Sequence, residues 1–157
     1  MNIYERIEKD HLRHRELLDQ IAETSGDSAE RRGLWREFYN DVKAHAAAEE
    51  ETFYAALMVE TWGQDKARHS VSEHKELDEI IDELQDMDFS SSGWLNRFKT
   101  LHHEYVHHID EEEDEVFERA REVIDGGKAA ELGPKFDKRK QRELELVDEK
   151  SKDKLED

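Results

Sequence analysis

Near the start of the chain, apolar positions recur every three or four residues. Ile3, Ile7, Leu18 and Ile21 share one side of a helix, and His11 and His14 lie on that same side. A second stripe runs through Trp35, Phe38, Val42, Phe53 and Leu57, with His45 and Glu49 near its middle, while Glu50 and Glu51 point outward. A third holds Ser70, His74, Leu77, Ile81 and Leu84, with His69 well to the side. A fourth holds Phe98, Leu101, Tyr105, His108, Glu112, Val116 and Val123, leaving His103, His107 and Glu111 off it. A period near 3.6 in all four segments predicts amphipathic helices that bury one face each.

Turn-forming residues mark the joints. The first helix spans about Asn2 to Thr24 and stops in the S-G-D-S run Ser25 to Ser28; the second spans about Ala29 to Glu60, ending near Gly63. The third covers roughly Asp65 to Met87 and breaks at Ser90 to Gly93, and the fourth extends to about Asp125, where Gly126 and Gly127 end it. Short connections between long helices predict an all-α, antiparallel up-down-up-down four-helix bundle over residues 1–133. Residues 134–157, beyond the single proline Pro134, are so rich in charge that a solvated helix or tail is expected. Phe136, Leu144 and Val147 form only a thin apolar seam there, so the solvated reading is favoured over a fifth packed helix, a dimer contact or a protein partner docked on that seam.

Composition narrows the function. A bundle tolerates 35% hydrophobic and 42% charged residues because each helix needs only a narrow apolar stripe. The net charge of −18 argues against nucleic acid and anionic membrane surfaces as partners. With no cysteine there is no disulfide, thiolate metal site or redox thiol. The N-terminus is charged from Glu5 and runs straight into the first helix, unlike a signal peptide, so a cytoplasmic location is expected.

The polar members of the stripes carry the chemistry. Five of the nine histidines have an acid four residues later, as chance allows in so acidic a chain. Phase separates them: only His45–Glu49 and His108–Glu112 place both members on the buried side. With His11 and His74, one histidine per helix points to a common axis and two carboxylates join them. Burying four imidazoles and two carboxylates costs desolvation that a bound cation offsets, so His11, His45, Glu49, His74, His108 and Glu112 are the predicted metal ligands. Without a cation, the two carboxylates would disfavour double ionisation and raise at least one carboxyl pKa. Imidazole and carboxylate together suit iron, with manganese and zinc as competitors. A ferritin-like site would need Glu-x-x-His on two helices. E-K-D-H and E-Y-V-H are present, but Glu104 and His107 lie off the stripe. His14 reads as a core or supporting histidine, Tyr105 as a core aromatic in preference to a hydrogen-bond donor to a bound oxygen species, and the acid run Asp110 to Glu115 as a mostly solvated face from which only Glu112 turns inward.

The D-H of the first helix, H-A-A-A-E-E-E of the second, E-H-K-E-L of the third and H-I-D-E-E-E-D-E-V-F of the fourth, in this order, resemble the hemerythrin-like HHE cation-binding family over about Asn2 to Asp125. The resemblance implies a non-haem di-iron centre held by the six residues above, bridged by the two glutamates and an oxo or hydroxo oxygen. It implies binding of dioxygen, nitric oxide or peroxide, or iron storage, buffering or sensing read by a partner protein. The oxygen-carrying hemerythrins have a second histidine one turn before the third-helix ligand, where this chain has Ser70. That departure favours a redox, sensing, peroxide-handling or buffering role over simple oxygen carriage.

Overall fold

In a computed structural model of the chain, which describes residues 1–156 and side chains through Val147, the apolar stripes close on one another as an all-helical bundle. Helix α1 is Ile3–Ala22 and α2 is Ala29–Glu49. A π-helical turn, Glu50–Tyr54, continues α2 into the short α3, Ala55–Leu57. Helix α4 is Thr61–Asp86 and α5 is Ser92–Glu111, which a second π-helical turn, Glu112–Val116, carries into α6, Phe117–Ala120. Helix α7 is Gly126–Glu156.

Local chemistry sets the helix starts. Asn2 and Glu5 form a reciprocal capping box on α1, and Ser28 and Ser91 accept hydrogen bonds from the amides of Arg31 and Trp94. Gly63, expected to end the second helix, instead lies in the first turn of α4. A Cβ there would come within 1.8 Å of the Leu57 carbonyl oxygen, so glycine is what lets α4 turn back so closely on α3.

Helices α1, α2, α4 and α5 form the antiparallel ring, with two apolar clusters at its ends. One gathers Leu17, Trp35, Phe38, Leu84, Trp94 and Phe98; the other gathers Ile3, Tyr4, Phe53, Leu57, Phe117 and Phe136. The inward histidines and glutamates occupy the layer between them. Water is thereby kept from both ends of that layer.

The C-terminal segment departs from the expectation of a solvated tail. The break comes at residues 121–125, and Asp125 accepts a hydrogen bond from the Lys128 amide, so the glycines that were to end the fourth helix begin α7. Pro134 lies within α7 and is exposed, as is Ala130, whose carbonyl loses its usual amide partner because proline has no N–H. The helix lies along α1 and α2, burying Ala129, Leu132, Phe136 and Lys140. The seam is richer than its few large side chains suggest, because a lysine belongs to it. Leu144 and Val147 are only partly buried. No helix among the described residues is long and apolar enough to cross a membrane.

The π-helical turns also change the phase. Each adds a residue to one turn, the first immediately after Glu49 and the second starting at Glu112, rotating the remainder of the helix relative to the stripe. Tyr54 is therefore buried beside Phe53, and Phe117, Ala120 and Ile124 are buried where the regular period points to Val123, which is only partly buried.

Candidate metal centre

The structure brings all six predicted residues into one buried layer, none more than 9% exposed. The histidines form two pairs, His11 with His45 and His74 with His108, with ring centroids 5.2 and 5.1 Å apart. Both carboxylates span the pairs. Glu49 Oε2 lies 3.1 Å from His45 Nε2, and its Oε1 lies 3.4 Å from His74 Nε2. Glu112 Oε1 lies 3.2 Å from His11 Nε2, and its Oε2 lies 4.0 Å from His108 Nε2. Two atoms each about 2.1 Å from a shared ion sit roughly 3.0–3.4 Å apart, which three of these four separations match.

Glu49 Oε1 and Glu112 Oε1 are buried with no aligned hydrogen-bond donor. A buried carboxylate oxygen without a donor is costly. The donor set therefore fits a cation: mixed imidazole and carboxylate, converging, and incompletely satisfied by protons alone. His11, His45 and Glu49 offer one set of ligand atoms, and Glu49, His74 and His108 offer another, so Glu49 belongs to both.

Each of the four imidazoles is held from behind. Nδ1 of His45 lies 2.7 Å from Asp10, that of His74 2.8 Å from Glu50, that of His108 2.9 Å from Glu73, and that of His11 3.0 Å from Glu113. The acids form a closed cycle: α1 supports a histidine of α2, the turn after α2 one of α4, α4 one of α5, and the turn after α5 one of α1. A carboxylate on Nδ1 fixes that proton and turns the Nε2 lone pair toward the centre of the layer. This corrects two expectations, since Glu50 does not simply point outward and Glu113 joins Glu112 in turning toward the site. Each supporting acid is the chain neighbour of a ligand position, which is the signal that could have revealed it.

Protons occupy the layer in the metal-free protein. Burial presses the His11 pKa down, but its close pairing with Glu112 and its hydrogen bond to Glu113 outweigh it and lift the value to about 9. The same balance, with Glu49 and Glu50 as partners, lifts His74 to about 10. Burial alone would raise Glu49, but the hydrogen bond from His45 and the close pairing with His74 hold its carboxyl well below the usual range. The histidines thus relieve Glu49 of the carboxylate repulsion expected from the sequence.

A polar chain leads away from the layer. His14 is fully buried, and burial presses its pKa down to about 4, a fall that its hydrogen bond with Asp41 opposes and the charge of His45 deepens. Neutral His14 donates from Nε2 to Asp41 at 2.6 Å and accepts from the Tyr105 hydroxyl at Nδ1 at 2.5 Å. The Tyr105 hydroxyl is therefore directed to His14 rather than toward a ligand of the centre. Lys140 of α7 lies between Asp41 and Asp10, 2.8 Å from one and 2.9 Å from the other. Ser70 leaves a gap into which Tyr54 reaches, its hydroxyl donating to Glu112 Oε2 at 2.6 Å. His102 is partly buried and His103 and His107 are exposed, lining a surface groove away from the layer.

A helical bundle with a buried layer of paired imidazoles and shared carboxylates defines a metal-binding four-helix protein. Residues 2–120 match the family model described as the hemerythrin HHE cation binding domain, and the chain belongs to that family. The crystal structure of a hemerythrin HHE cation-binding domain-containing protein from Mycobacterium kansasii has the same fold, with a TM-score of 0.83 and 24% identity, covering 93% of this chain and 89% of that one. A protein described as a DNA nickase, from Nostoc sp., is 23% identical over 136 residues; the match covers 87% of this chain and 38% of the nickase.

Proposed function

We propose that this protein is a non-haem di-iron protein that binds dioxygen, nitric oxide or peroxide at the buried layer, in a redox, stress or sensing role. The observation that carries the reading is the reach of Glu49 and Glu112, each turning one oxygen to the His11–His45 side and the other to the His74–His108 side. His11 and His45 would hold one iron and His74 and His108 the other, with both glutamates shared. Iron bound there would supply Lewis acidity and one-electron redox chemistry.

The surroundings support a very small ligand. A cavity of about 20 Å³ adjoins the histidines, walled by Val42, Leu77, Ile81, Tyr105 and Ile109. That space holds about one water-sized molecule, which suits a diatomic or peroxide and rejects an organic substrate. The net charge of −18 opposes a polyanionic backbone, so the reading keeps a small ligand rather than DNA as the partner.

A second reading, an iron buffering or sensing module, draws support from Lys140, which ties α7 to Asp10 and through it to His45. Iron analysis and absorption spectroscopy of protein produced with iron test both readings. About two irons per chain, near-ultraviolet charge-transfer bands, and spectral change with dioxygen, nitric oxide or peroxide are expected for the first. Iron-dependent packing of α7 without any ligand-dependent spectral change would replace it with the second. Protein that takes up no iron would overturn both.

A further inference from the structure

We infer that His69, Glu73 and Glu111 form a divalent-cation loading site at the mouth of a passage to the buried layer; its transfer role rests on the metal-centre reading above. One ligand atom from each of the three lies within 4.8 Å of the others. His69 Nε2 pairs with Glu73 Oε1 and lies 3.8 Å from Glu111 Oε1, while the other Glu111 oxygen lies 3.7 Å from His107 Nε2. The cluster is open to solvent, with the His69 side chain 56% exposed and those of Glu73 and Glu111 22% and 28%.

A pocket joins this cluster to the interior. It is lined by His69, Glu73 and Glu111 on the outside and by Ser70, Tyr54, Glu112 and His108 within. The Ser70 hydroxyl, in a residue only 3% exposed, lines it beside the Tyr54 hydroxyl without a well-aligned hydrogen bond, and is available to an incoming ion or its water. Glu73 belongs to both ends, one oxygen in the outer cluster and the other 2.9 Å from His108 Nδ1. The passage has room for about 10 Å³, at the lower limit for a single water. A hydrated cation is larger than that. It must exchange waters for side-chain ligands before moving inward, and an outer imidazole–carboxylate set supplies those ligands. On the His45 side, α7 covers the layer with Phe136, its ring 5.5 Å from the imidazole. Lys66 also lines the pocket and is the one ammonium there, opposing a cation and setting how long it dwells.

The test compares wild-type protein with the double variant His69→Ala, Glu111→Gln, which leaves Glu73 and the buried residues intact. Metal-free protein is mixed with cobalt(II), and loading is followed by visible absorption. In parallel, manganese(II) binding is followed by electron paramagnetic resonance. The double variant is expected to load on the order of tenfold more slowly, to the same final stoichiometry, and to lose a weak manganese site. Lys66→Gln is expected to strengthen that weak site. Equal loading rates for wild type and the double variant would overturn the transfer role. Retention of the weak manganese site in the double variant would overturn the site itself. Should wild-type protein hold manganese only weakly, at a site lost in the double variant, with no metal entering the buried layer, the outer site stands while its transfer role and the di-iron reading fall.

Discussion

The Lys140 ammonium lies 2.9 Å from Oδ1 of Asp10, a carboxylate whose other oxygen is 2.7 Å from Nδ1 of His45. A side chain of the last helix thereby orients His45, one of the four inward histidines of the bundle. Burial would raise the Asp10 pKa, but its hydrogen bond with His45, the charges of His45 and Lys140 and the hydrogen bond from Arg6 hold it far below the usual carboxylate range.

Replacing Lys140 with Met is therefore expected to weaken metal binding by about tenfold, as loss of a supporting group around a metal ligand does. Arg at this position should restore most of the affinity, because the two carboxylates need a cation between them. Chelator competition measures both, and unchanged affinity in Lys140→Met would show that α7 only covers the bundle.

His45→Ala and His108→Ala should each strip metal, whereas His103→Ala and His107→Ala should leave the tightly bound content unchanged. The first two remove Nε2 atoms facing Glu49 and Glu112; the others lie on the surface. Metal analysis after gel filtration decides it, and loss of metal from His107→Ala but not His108→Ala would reverse the assignment.

Metal uptake near neutral pH should release protons. In the metal-free protein His11 and His74 titrate at about 9 and 10, so both are protonated at pH 7 and must surrender a proton to bind an ion. A weakly buffered indicator dye reports the release. Acid should therefore weaken the metal and alkali strengthen it until those groups have titrated.

The same shifts govern the metal-free fold. Groups raised from 6.5 to about 9 and 10 contribute stability that is fully present below pH 6.5 and lost as pH rises through those values. Thermal melts should show metal-free protein weakening across this window, melting below the iron-loaded form at neutral pH, with the gap widening in alkali and narrowing in acid. Coincident melting temperatures at pH 7 would argue against a central metal site.

Arg31 offers a control remote from the centre. Its guanidinium donates to the Thr24 hydroxyl, the Thr24 carbonyl and the Phe89 carbonyl, and its carbon lies 4.7 Å from the Trp94 ring. Arg31→Met leaves two buried carbonyls without donors and should cost about 2–4 kcal/mol in urea unfolding. Metal content should not change.

The six inward residues and the four-helix bundle were legible because helical phase is a local property. A period of 3.6 sends His11, His45, Glu49, His74, His108 and Glu112 to the buried side whatever the helices later meet. Their surroundings were decided only in the assembled bundle. Asp10, Glu50, Glu73 and Glu113 each serve a histidine of a different helix, and in so acidic a chain an acid that crosses to a neighbour reads like one that faces water. Tyr54 entered through a π-helical turn that the regular period does not contain. Lys140, within a run that composition assigns to solvent, is buried because two carboxylates on α1 and α2 face the groove where α7 lies. Periodicity determines which way a side chain points from its own helix; the identity of its partner depends on distances between helices, which exist only once they have packed.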